Sequence, residues 1–285
     1  MKKYYEVAGI GISVDIPDDK MYEDERSLGE FSVDFCTNAH EFIFKTVNKF
    51  SSPKGELITA QPSFRVYKEN NAQIRYIGSV QNSWENAYIK ATHIGNTHNI
   101  ELIAENFKEK IGVHTVLNCL MMEHLIALND GFIFHTSFIE YKNKAILFTA
   151  PSGTGKSTQA DLWNKYKNAE IINGDRCAIR VIDGKMFAEG IPFAGSSQYC
   201  KKRTLEIAAV VYLQQAKVTT IKKLRGLEAF KKIWEGISVN TWDKEDMANV
   251  SAVATKLVTS VPVYLLSCTP DESAVLALLS ELENQ

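Results

Sequence analysis

Ile146-Leu-Phe-Thr-Ala-Pro-Ser-Gly-Thr-Gly-Lys-Ser-Thr158 passes from an apolar run into a glycine-rich turn and then into helix-forming residues. From Ala150 to Ser157 it fits the phosphate-binding P-loop pattern of a small residue, four spacers and Gly-Lys-Ser, with Ala150 where glycine is usual. Gly153 and Gly155 permit positive φ, so successive backbone N–H groups of the loop, with Ser152 and Thr154, can turn towards one anion. The N-terminus of the following helix adds partial positive charge. Lys156 would reach the β- and γ-phosphate oxygens, the Ser157 hydroxyl would take one position on Mg²⁺, and Thr158 offers a further hydroxyl to the α-phosphate. The stretch therefore predicts a nucleoside triphosphate as ligand, bound between a strand and a helix.

A phosphate cradle needs a carboxylate to hold metal or take a proton. Asp175 follows the apolar pair Ile171-Ile172 at the carboxyl end of the next strand, the edge at which open α/β sheets place their ligands. The alternative is a solvated turn aspartate after Asn173-Gly174.

Around this centre the pattern is that of an α/β chain in two parts. Residues 1–110 read as a β-rich N-terminal domain, with strands at Tyr4–Val14, Leu57–Tyr67, Gln73–Ser79, Tyr88–Ile94 and Asn99–Ile103 and breaks at Pro17-Asp18-Asp19, Ser51-Ser52-Pro53 and Gly95-Asn96. Residues 111–285 read as the nucleotide domain. It opens with a linker helix whose apolar stripe runs from Val113 to Leu128 and closes at Gly131. Strands are then expected at Phe132–Ile139 and Ala145–Thr149, and a helix from Ser157 to Tyr166. Beyond it come a strand at Ala169–Asp175, a hairpin around Asp183-Gly184, and strands at Ile207–Leu213 and Thr219–Leu224. Two helices, the strand Val261–Ser267 and a helix begun by Thr269-Pro-Asp-Glu complete the chain. His40, His93 and His98 share no ligand spacing and read as packing or surface residues, as does His124 on its apolar stripe.

Composition sets limits. The chain has 285 residues, 45% of them hydrophobic, which is enough for two cores, and its net charge of −2 supplies no basic field for nucleic acid. No apolar segment follows the basic pair Lys2-Lys3 and none is long enough to span a membrane, so a soluble cytoplasmic protein without a membrane partner is expected. The 5 cysteines have neither zinc nor redox spacing.

The segment from Phe134 to Arg180 resembles the HPr serine kinase and phosphoenolpyruvate carboxykinase class of P-loop proteins. The likeness spans residues 131 to about 270 and thins after 190. Gly174-Asp175 matches the class's carboxylate motif, and His135 in Phe134-His-Thr-Ser137 matches a histidine carried on the strand ahead of the P-loop hairpin. The resemblance implies a kinase core with ATP and Mg²⁺, with Lys156 and Asp175 catalytic, His135 near the γ-phosphate, Ser157 and Asp175 on the metal, and a possible homo-oligomer. Two departures stand out: HPr kinases present paired aspartates where this chain has Asp175 alone, and their arginine- and glycine-rich substrate segment has no match. The expected acceptor is therefore a serine hydroxyl of a small molecule, peptide or protein other than HPr. Arg203, within Gly195-Ser-Ser-Gln-Tyr-Cys-Lys-Lys-Arg203, is the residue chosen for acceptor binding, against a reading as solvated loop charge. Carboxykinase-like transfer and a nucleotide-responsive binding module without turnover are the alternatives.

Overall fold

In the computed structural model the chain forms two compact units, residues 1–121 and 122–285. The structure describes residues 2–17, 27–108, 111–195 and 199–284. The expected turn at Asp18-Asp19 and the loop residues Ser196, Ser197 and Gln198 lie outside them.

Among the described residues the first unit is a mixed nine-stranded sheet. Its strands are β1 (Lys2–Val7), β2 (Ile10–Asp15), β3 (Ser32–Val33), β4 (His40–Val47), β5 (Glu56–Ala60), β6 (Phe64–Glu69), β7 (Ala72–Gly78), β8 (Ala87–Ile94) and β9 (Thr97–Ile103), ordered 3-1-2-4-9-8-7-6-5. Two expected single strands are pairs. Ala8 and Gly9, both at positive φ, turn the chain between β1 and β2, and residues 61–63, with Pro62, separate β5 from β6. The three histidines without a sequence spacing meet across this sheet: His40 Nδ1 lies 3.1 Å from His98 Nε2, and His98 Nδ1 lies 3.0 Å from His93 Nδ1. The β4–β9 and β8–β9 registers bring them together.

The stripe expected to form one helix over Val113–Leu128 is cut in two. Helix α1 (Val113–Cys119) ends unit one, Met121 takes φ 52°, and α2 (Met122–Ala127) begins unit two. Helical periodicity records which residues are buried but not that the covering core changes, so it runs through the break.

Unit two is again mixed α/β. Its strands are β10 (Gly131–His135), β11 (Ser137–Tyr141), β12 (Lys144–Thr149), β13 (Glu170–Asn173), β14 (Arg176–Ile182), β15 (Lys185–Gly190), β16 (Thr204–Gln215), β17 (Thr220–Leu224), β18 (Ile237–Ser238) and β19 (Val263–Cys268). The path 13-11-12-16-15-14-10-18 is joined by β19, which pairs with β16 and β17. β12, β16 and β19 are parallel neighbours, so all are buried on both faces. Ile146 and Phe148 of β12 pack under α3 (Lys156–Lys167) and α6 (Glu272–Glu283), with Trp163 fully buried between strand and helix. Ala145 and Leu147 face the opposite layer, α4 (Gly226–Trp234) and α5 (Lys244–Ser260). Asp243 caps α5, and Asp271, rather than Thr269, caps α6 by accepting from the Ser273 N–H.

The run Phe132–Ile139, expected as one strand, breaks at Thr136. β10 pairs with β14, while β11 pairs with β12 and β13. The buried Thr136 leaves the ladder to donate its N–H to the Asp175 carbonyl at 2.9 Å and its hydroxyl to the Phe148 carbonyl at 2.8 Å. Among the described residues no helix is long and apolar enough to cross a membrane.

Candidate functional site

Three strand ends converge where β12 stops. The residues between Thr149 and α3 make a tight turn in which Gly153 (φ 76°) and Gly155 (φ 121°) adopt backbone conformations that a side chain strains. A Cβ at Gly153 would meet nothing within 4 Å, so it is the backbone conformation and not lack of room that calls for glycine there. Gly155 precedes α3, and Lys156 is its first residue, so the free N–H groups of the first helical turn point into the loop.

The break at Thr136 delivers the second group. Thr149 donates its hydroxyl to the His135 carbonyl at 3.0 Å, and Ser137 donates its own to the Gly174 carbonyl at 3.2 Å. Together with the Thr136 bonds, these tie the end of β10 to the ends of β12 and β13. His135 Nδ1 consequently stands 3.4 Å from Asp175 Oδ1. Asp175 is positioned from below by Asn173, a fully buried residue that sequence reading passed over. Its Oδ1 accepts the N–H groups of Asp175 and Arg176 at 2.9 and 3.0 Å, and its Nδ2 donates to the Ile191 carbonyl at 3.0 Å. From above, a Cβ on Gly195 would come within 2.8 Å of the Asp175 Cβ and Cγ, so the chain closes directly over the carboxylate there.

Arg176 is the other residue the sequence did not single out. Its Nε lies 3.3 Å from Asp175 Oδ2, and its guanidinium sits over the Phe193 ring. The carboxylate thus lies between an imidazole and a guanidinium.

A cleft of about 330 Å³ has His135, Gly174 and Asp175 on one side and Ser152, Gly153, Gly155, Lys156, Ser157 and Thr158 on the other. Thr154 faces a neighbouring cavity instead. Lys156 is nearly buried, and its ammonium donates to the Ala150 carbonyl at 3.0 Å. Burial holds its pKa below the usual lysine value, against the opposing pull of Asp175. Burial also lowers the pKa of His135, reinforced by the charges of Lys156 and Arg176 and opposed by Asp175, which keeps the imidazole neutral at pH 7. The Lys156 ammonium balances the Asp175 carboxylate, and the Arg176 guanidinium 3.3 Å from that carboxylate tips the surroundings of the cleft towards positive charge, suited to a polyanion.

The residues fit a phosphate chain and a hard cation in different degrees. For phosphate they offer the loop N–H groups, the Lys156 ammonium and the Thr158 hydroxyl. For Mg²⁺ they offer the Ser157 hydroxyl and the Asp175 carboxylate, the small protein share such an ion takes when phosphate and water supply the rest.

Arg203 is not brought to this cleft. It pairs with Glu140 at 3.7 Å and Glu170 at 3.9 Å. Glu140 is level with Ala145, at the opposite end of β12 from the loop, about 13 Å away at the usual strand rise. One strand length thus separates the two ends of the segment Gly195–Arg203. A further group with metal-like donors, His124, Asp243 and Asp246, is also satisfied internally: the Asp246 oxygens take His124 and Asn240, both at 2.7 Å, and Asp243 Oδ1 caps α5.

The chain belongs to the family described as SynChlorMet cassette protein ScmC, whose model matches residues 102–271. No curated protein matches it. Among solved structures, the HPr(Ser) kinase/phosphatase from Coxiella burnetii shows a weak structural relation, with 10% identity and a TM-score of 0.33 over 53% of this chain and 88% of that one.

Proposed function

We propose that this ScmC-family chain is an ATP-dependent phosphotransferase that moves the γ-phosphoryl group to a hydroxyl, most simply the serine of a small molecule, peptide or protein. One observation carries the reading: Lys156 at the start of α3, Asp175 just after β13 and His135 at the end of β10 line one cleft with a P-loop sequence.

In this reading the loop N–H groups from Ser152 to Thr158 hold the β- and γ-phosphates, and Lys156 places its ammonium on their non-bridging oxygens. Its burial strengthens that contact, because charge is poorly screened where water is excluded. Ser157 and Asp175 would hold Mg²⁺, which would supply neutralisation of phosphate charge. The acceptor oxygen forms its bond to the γ-phosphorus as the bond to the ADP oxygen breaks, and the hydroxyl proton passes to Asp175. His135, neutral and 3.4 Å from Oδ1, orients that carboxylate, while Arg176 fixes Oδ2. Holding these groups in place supplies most of the rate in such a transfer.

A second reading draws on the single carboxylate of the cleft. If Asp175 serves only the metal, nucleotide binding without turnover follows, and the protein is a nucleotide-responsive binding module. Incubation with ATP, Mg²⁺ and a panel of serine-containing metabolites and peptides separates the two. Acceptor-dependent ADP release that vanishes in Asp175→Asn while ATP binding persists supports the transferase. Tight ATP binding without ADP release for any acceptor refutes it in favour of the module.

A further inference from the structure

A second cavity, about 450 Å³, opens beside the phosphate cleft and shares Gly153, Gly155 and Thr158 with it. Its far wall is the carboxyl ends of two parallel strands, Leu213 to Gln215 closing β16 with Ala216 after it and Cys268 closing β19 with Pro270 beyond it, and Gln159 lines it from α3. Leu213, Ala216 and Pro270 give it apolar surface, as a planar heterocycle requires. Its size falls in the range of small-ligand pockets. Because the two cavities share three lining residues, a ligand whose phosphates lie on the loop would reach it.

Gln159 supplies the polar group. The residue is 3% exposed, its Nε2 donates to Cys268 Sγ at 3.4 Å, and its Oε1 is buried with no donor. A buried acceptor left unpaired is costly and is rare unless a ligand or water completes it. Burial holds the Cys268 thiol protonated, so sulfur and amide form a neutral pair at the cavity wall.

We infer that this cavity takes the base of the nucleotide and that Gln159 selects adenine, whose 6-amino group can donate to Oε1 where guanine presents a second acceptor. The inference rests on the nucleotide reading above and adds to it the place of the base and the residue that recognises it.

The test is equilibrium binding by calorimetry of ATP, GTP and inorganic tripolyphosphate, each with Mg²⁺. The wild-type chain is expected to bind ATP about tenfold or more tightly than GTP, the worth of one buried hydrogen bond set against an unpaired acceptor. Gln159→Leu, close in volume, should bring ATP down to the GTP value and leave tripolyphosphate unchanged, which also serves as the control for folding. Ala216→Trp, which fills the cavity from its rim, should weaken ATP at least tenfold and again spare tripolyphosphate. Equal affinity for ATP and GTP, a preference for GTP, or an ATP preference that survives Gln159→Leu overturns the assignment. If tripolyphosphate binds and Lys156→Ala abolishes it, such a result leaves the phosphate loop standing and removes only the base site. Failure of all three ligands to bind removes both.

Discussion

Asn173→Ala should separate stability from chemistry at this site. The side chain is fully buried and makes three hydrogen bonds between 2.9 and 3.0 Å, two from the backbone of Asp175 and Arg176 and one to the carbonyl of Ile191. Truncation to alanine leaves two N–H groups without partners and takes one donor, worth about 1 kcal/mol, from the Ile191 carbonyl, which keeps the Phe193 N–H at 2.8 Å and the Cys200 thiol at 3.3 Å. Because the two N–H groups are only partly buried, the low end of the desolvation penalty applies to each, and the loss sums to about 3 kcal/mol. For a cooperative unit the size of residues 122–285, that lowers the melting temperature by roughly 6–12 °C. Differential scanning calorimetry reads the shift directly. At a temperature where the variant stays folded, ATP turnover should fall much further than tripolyphosphate affinity, because Asp175 loses its support while the loop and Lys156 hang from β12. Asn173→Asp divides the two effects. It keeps an oxygen for the two N–H groups, so turnover should recover in part, but it sets a buried carboxylate against the Ile191 carbonyl, so stability should not. A melting shift under 2 °C for Asn173→Ala, or turnover equal to wild type, would refute the claim that Asn173 holds Asp175 in place.

Lys156→Met should raise thermal stability at pH 7 while abolishing tripolyphosphate binding, since the folded state carries this ammonium at a cost. Its pKa is lower in the folded chain than in the unfolded one, so the deficit is complete at neutral pH and shrinks only as pH rises towards 10.5; melts of both proteins at pH 7 and pH 10 check it. His135, likewise depressed, makes the unfolded chain the better proton acceptor as pH falls through about 6.5, so stability drops on acidification there. Urea titrations between pH 5 and 7.5 should show a flatter acid limb for His135→Gln, and an unchanged limb counts against a neutral His135. His124→Ala removes one of the two partners of the fully buried Asp246 and should cost about 2–3 kcal/mol in urea unfolding, below the value for a wholly buried pair because His124 is 22% exposed.

What could be read from the chain and what could not divide along the range of the interactions. The glycine-rich turn between β12 and α3 was legible because its signal is local: an apolar strand, glycines where φ must be positive, a lysine and a helix all fall within Ile146–Thr158. The hairpins and the helices after Leu224 were legible for the same reason. Asp175 was expected at a strand end and lies just after β13, whereas Arg203 was picked from a Gly-Ser loop followed by three cations, a composition that does not tell which end of a strand the loop returns to. The continuous apolar run Phe132–Ile139 hid the break at Thr136, since both β10 and β11 are buried and the change of neighbour leaves no trace in hydrophobicity. That break places His135 against Asp175. Asn173 and Arg176 act on their near neighbour Asp175, but through side-chain contacts that no periodicity marks, and Gln159 and Cys268 meet across 109 residues. The proposed cradle for phosphate is thus a property of one segment, whereas the groups that would act on the phosphate and choose the base are brought together by strand order. Substitutions in the loop should therefore fail in binding, and substitutions at Thr136, Asn173 or Gln159 should fail in turnover or selectivity with the loop intact.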